Sequence, residues 1–167
     1  MFARPIAFLV LTAAFTACVR SGPVTAAQAA VFNCAEPHVD TATWSVIRQG
    51  DHTFRIPPGF FSVPAERSTE RATFRSGSWQ ITFRQGFTIY PTGRTGSVSQ
   101  QCVTDVAGRA AQVYGNTYTG AYAVRWPGAG LDGRDIVIAI EPLPGTSNEP
   151  TTAYMVPWTL TFPARSR

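Results

Sequence analysis

Few places in the chain put side chains capable of chemistry close together. In Cys34-Ala-Glu36-Pro-His38-Val-Asp40, a thiol, an imidazole and two carboxylates fall within seven residues. Such types bind metal when a second cysteine or histidine stands at ligand spacing. None does: the only other histidine, His52, lies fourteen residues from His38. The segment therefore reads as a polar loop, and no metal or cofactor is expected. Asp51-His52 could orient and activate a nucleophilic serine, as two members of a triad. No G-x-S-x-G elbow supplies that serine; Ser76-Gly77-Ser78 and Gly96-Ser97 read as turns. A small hydrolase using Asp51, His52 and a loop serine is the alternative reading. Gly128-Ala-Gly130-Leu-Asp-Gly133 spells G-x-G-x-x-G. It stands between two strand-like runs, whereas a phosphate cradle needs a helix after it. Glu36, Glu66, Glu70, Glu141 and Glu149 form no distinctive carboxylate pair.

The richest surface constellation is Arg71, Arg75 and Arg84 with Gln80 and Thr82. If their strands are neighbours, guanidinium groups, amide and hydroxyl share one face able to grip carboxylates or phosphates. Phe87 and Tyr90 stand close enough in sequence to stack on a sugar.

These groups must be positioned by strands. Charged residues make up only 14% of the 167 residues, so Thr, Ser, Gln and Gly must cover much of the surface, which favours strands and turns. Trp79-Gln80-Ile81-Thr82-Phe83-Arg84 alternates with period two, and so do Thr53-Phe54-Arg55-Ile56 and Arg71-Ala72-Thr73-Phe74-Arg75. Tyr122, Val124 and Trp126 alternate with Ala121, Ala123 and Arg125. Ile136-Val137-Ile138-Ala139-Ile140 is apolar throughout, which marks a central strand covered on both faces. Residues 102–113 read as one strand with Gly108 at a bulge. Two stretches could be helical: residues 39–48, weakly, and residues 148–155, where Asn148 can cap. Trp158-Thr159-Leu160-Thr161-Phe162 then reads as a closing strand. The expected fold is α+β and mainly antiparallel β: a twisted sheet or sandwich with one or two short helices, or else an all-β sandwich.

The N-terminus addresses the chain to export. Arg4 precedes an uncharged apolar run over residues 6–17, long enough for a signal peptide and too short to span a membrane. Residues 1–17 are read as signal peptide, 18–33 as a flexible tether and 34–167 as a single β-rich domain. Phe15-Thr16-Ala17-Cys18 resembles a bacterial lipobox, apart from Phe15 where Leu is usual, so Cys18 is the expected lipidation site. Ala27-Gln28-Ala29 offers a second cleavage site, leaving Ala30 first. Either choice leaves Cys34 and Cys102, which are expected to pair as a disulfide in an oxidising compartment. All fourteen basic residues are arginine, spread along the chain, and the net charge is +4. Without a cluster, and with export expected, nucleic acid is not an expected partner.

The order of parts carries a resemblance. Phe54-x-Ile56-Pro57-Pro58-Gly59-Phe60, a strand led by Trp79, Cys102-x-x-x-Val106-x-Gly108-Arg109-Ala110, the later hairpin, and Ala153-x-x-Val156-x-x-Thr159-Leu160-x-Phe162 follow in turn. This layout resembles small exported bacterial proteins similar to the PsbP-like α/β sandwich, over roughly residues 44–163. The resemblance implies a scaffold or accessory role and carries over no catalytic residue. The reading it supports is an exported, lipid-anchored envelope protein with a non-catalytic role, binding another protein or an envelope polymer through one sheet face.

Overall fold

The computed structural model describes residues 34–65, 70–86, 100–116, 119–146 and 151–163. The signal peptide, the tether, Cys18, Ala30, Phe87, Tyr90, Ser97 and Asn148 lie outside these residues. Among the described residues nine strands form: β1 (Ser45–Gln49), β2 (His52–Ile56), β3 (Phe61–Val63), β4 (Glu70–Arg75), β5 (Trp79–Gln85), β6 (Gln100–Val106), β7 (Arg109–Gly115), β8 (Tyr122–Trp126) and β9 (Ile136–Pro142). β3 to β9 make one antiparallel sheet in the order β3-β4-β5-β9-β8-β7-β6, and β1 and β2 make a separate hairpin. The fold is therefore mainly antiparallel β.

The apolar strand read from residues 136–140 is the middle strand of the large sheet. Its alternate residues face opposite sides, and Ile136 to Ile140 are buried on both. One side carries Ile136, Ile138 and Ile140 beside Phe83, Ile81, Val124 and Trp126. The β1–β2 hairpin lies against this side. Phe54 stacks on Phe83 at 5.4 Å between ring centroids and meets Phe74 edge-on at 6.1 Å. Burying a ring such as Phe54 contributes about 2–3 kcal/mol.

The C-terminal segment fills the rest of this layer. Residues 148–155 were expected to be helical, with Asn148 as cap. A 3-10 helix forms instead at Thr152–Thr159, and Thr151 caps it by accepting from the Ala153 amide at 3.2 Å. Pro157 lies inside the helix; the tighter turn accommodates the missing donor that would interrupt an α-helical ladder. Tyr154 is buried among Trp79 and Tyr122, and its hydroxyl donates to the Gly120 carbonyl at 2.7 Å. The closing strand expected at residues 158–162 shrinks to a single bridge, Thr161 to Thr53, because Trp158 and Thr159 are taken into the helix.

Two other expectations are corrected. Residues 102–113 are two strands joined by a turn. Ala107 and Gly108 both adopt positive φ, 56° and 74°, the geometry of a two-residue turn matched to strand twist. Residues 39–48 contain no helix: Ser45 to Gln49 pair with His52 to Ile56, following their β-branched Val46 and Ile47.

Cys34 and Cys102 are bonded, with Cα atoms 6.5 Å apart. The bridge ties the segment leading to β1 onto the edge strand β6. Among the described residues no helix is long and apolar enough to cross a membrane.

Candidate functional site

The turn between β1 and β2 has only two residues, Gly50 and Asp51, because Gln49 pairs directly with His52. Gly50 takes φ +59°, which suits glycine at the first turn position. The short turn lifts Asp51 into solvent and points His52 inward, where it is 5% exposed. The imidazole sits 6.1 Å from the Phe83 ring and 5.8 Å, edge-on, from Phe162. Burial holds its pKa below 6.5; the Gln49 and Ala129 backbone and the Asp51 charge oppose that shift, and Arg109 adds to it. Nε2 makes no hydrogen bond of ordinary geometry.

Across from this turn, the β4–β5 pairing is irregular. Glu70 pairs with Arg84 and Ala72 with Phe83, so Arg71 is an extra residue. A bulge re-aims the side chain it carries. Arg71 consequently reaches the hairpin side of the sheet, where it lines a cleft of about 190 Å³ with Gln49, Gly50, Asp51, His52, Phe83, Gln85 and Leu131. Leu131 belongs to the β8–β9 connection, a 3-10 turn at Leu131–Gly133, and is 62% exposed. The same connection holds Gln85 in place. A Cβ on Gly130 would come within 3.0 Å of both Gln85 Nε2 and the Arg134 carbonyl. The glycine-spaced sequence around Gly128 thus forms a strand-to-strand turn packed on Gln85.

The expected Arg/Thr/Gln face divides. Arg75, Gln80, Thr82 and Arg84 share the face of the sheet away from the hairpin, whereas Arg71 joins the cleft. Arg75 Nε donates to Gln80 Oε1 at 2.7 Å, and Gln80 Nε2 to Thr82 Oγ1 at 3.3 Å. Arg84 lies 3.8 Å from Glu141. Thr82 is fully buried and Arg84 is 5% exposed, so Arg75 and Gln80 alone among these four are partly open. Ala123, Val137 and Ala139 form a second buried cluster on this side. Beside it Arg125 binds Asp135 through Nε at 2.7 Å and Nη2 at 2.6 Å, and Gln112 through Nη1 at 3.0 Å. These groups satisfy one another.

Asp51 and His52, paired in sequence for acid–base work, do share the cleft. Asp51 acts on the imidazole through its charge. Among the described residues the cleft lining includes no serine, threonine or cysteine. His38 is exposed, away from the core. Gln49, Gln85 and Leu131 escaped the sequence reading, because nothing local marks a glutamine at a strand end as part of a cleft. The bulge at Arg71 was equally silent.

No protein-family model, curated protein or solved structure matches this chain.

Proposed function

We propose that the protein is an exported, lipid-anchored domain of the cell envelope that binds a small polar envelope component without transforming it. The cleft carries this reading. It gathers a carboxylate, a guanidinium and two amides beside Phe83 and Leu131, and convergent polar groups of this kind fix the orientation of a small ligand. Its described lining offers hydrogen-bonding groups of both signs, which supports binding of a polar ligand. The apolar run over residues 6–17 and Cys18 directly after it support export and anchoring. The bond between Cys34 and Cys102 suits an oxidising compartment. With Cys18 lipidated, several acyl chains would hold the protein stably at a bilayer.

Whole-protein mass spectrometry of the chain recovered from the envelope fraction tests the anchor. The expected mass is that of residues 18–167 carrying a diacylglyceryl thioether and an N-acyl chain. An unmodified chain beginning at Ala30 would contradict it.

A further inference from the structure

We infer that the cleft takes one neutral sugar ring, held by Asp51 and Arg71 through adjacent hydroxyls. This inference rests on the proposal that the cleft is a binding site and names the ligand class.

Size comes first. At about 190 Å³ the cleft is smaller than the about 300–1,000 Å³ of pockets that enclose drug-sized ligands, so it admits a single ring or a residue of similar bulk. Charge comes next. Asp51 and Arg71 line the same small space, so a free anion meets the Asp51 carboxylate and a free cation meets the Arg71 guanidinium. Arg109 adds positive potential at His52. A neutral polyol escapes both penalties. A hydroxyl donates and accepts at once, so neighbouring hydroxyls can donate to Asp51 and accept from Arg71. The amides of Gln49 and Gln85 also donate and accept. The exposed Leu131 supplies apolar surface for the C–H face of a sugar. An amino-acid zwitterion would match Asp51 and Arg71, but would leave the two neutral amides, Gln49 and Gln85, with less to bind.

Saturation-transfer NMR on the full chain tests this with glucose, galactose, mannose and N-acetylglucosamine, each set against glucuronate and glycine. At least one neutral hexose is expected to receive saturation. Asp51→Asn and Arg71→Ala are each expected to weaken its binding about tenfold, the equivalent of one lost polar contact. Both positions are exposed, so the variants should fold. Arg75→Ala, on the opposite face, should bind like the parent. Binding of glucuronate or glycine with no neutral hexose would overturn the sugar inference and leave the cleft standing as a site. Binding by none of the six probes would overturn both.

Discussion

Thr53 and Thr161 exchange a reciprocal pair of backbone hydrogen bonds, Thr161 N to Thr53 O at 2.7 Å and Thr53 N to Thr161 O at 3.2 Å. Next to them the Arg55 amide donates to Thr159 Oγ1 at 2.8 Å. The hairpin that forms one wall of the cleft is therefore stitched to the end of the chain as well as packed on the sheet. Thr161→Pro removes one donor and leaves the Thr53 carbonyl unpaired. A loss of about 1–3 kcal/mol is expected in urea unfolding, with faster hydrogen exchange in β1 and β2 than in β9. Uniform exchange across both sheets would contradict the stitch.

His52 makes stability depend on pH. Its folded pKa lies below 6.5, chiefly because burial disfavours the imidazolium. Arg109 lowers it further, while Asp51 and the backbone of Gln49 and Ala129 resist. Between the folded value and 6.5 the unfolded chain binds the extra proton, so stability is fully present above 6.5 and declines as pH falls through the folded value. Replacing the imidazole, as in His52→Phe, should flatten that part of the profile relative to the parent. Parallel unfolding profiles for the two proteins would contradict the assignment.

The bond between Cys34 and Cys102 spans 68 residues of sequence. Closing a loop of that length is worth about 4 kcal/mol in the chain-entropy description. Cys34→Ser with Cys102→Ser should lower the unfolding free energy by about that amount. Reduction of the parent should do the same. An unchanged denaturation midpoint under reducing conditions would show that the bridge is not formed.

Gly130 sits against the cleft from below. Because its missing Cβ would lie 3.0 Å from a backbone carbonyl as well as from Gln85, the side chain of Gln85 alone cannot absorb an added methyl. Gly130→Ala should cost about 1–3 kcal/mol and shift the Gln85 side-chain amide resonances. Unperturbed Gln85 signals would argue that the connection does not support the cleft.

Much of the architecture was legible in local pattern. Trp79, Ile81 and Phe83 alternate, and they point into the core as that alternation predicts. The unbroken apolarity of residues 136–140 marked a strand covered on both sides, and it became the middle strand. What local pattern does not encode is competition between neighbours. Trp158 and Thr159 alternate like a strand but continue a 3-10 helix, because Trp158 reaches the buried Tyr122 hydroxyl, donating from Nε1 at 3.3 Å. Gly108 suggested a bulge, yet positive φ at Ala107 as well turns the chain fully back. The site was partly legible. Residue type marks Asp51, His52 and Arg71, but strict alternation puts Arg71 on one face with Arg75 and Arg84. A single extra residue in β4 breaks that alternation, and no side chain nearby announces it.

The central claim is that ligand meets this protein at the cleft between the β1–β2 turn and the sheet. Chemical-shift mapping of the full chain during titration with solubilised envelope saccharide fragments tests it most directly. The expected shifts concentrate at Gln49, Asp51, His52, Arg71, Gln85 and Leu131. Shifts centred instead on Arg75, Gln80 and Glu141, or no shifts at all, would contradict the claim.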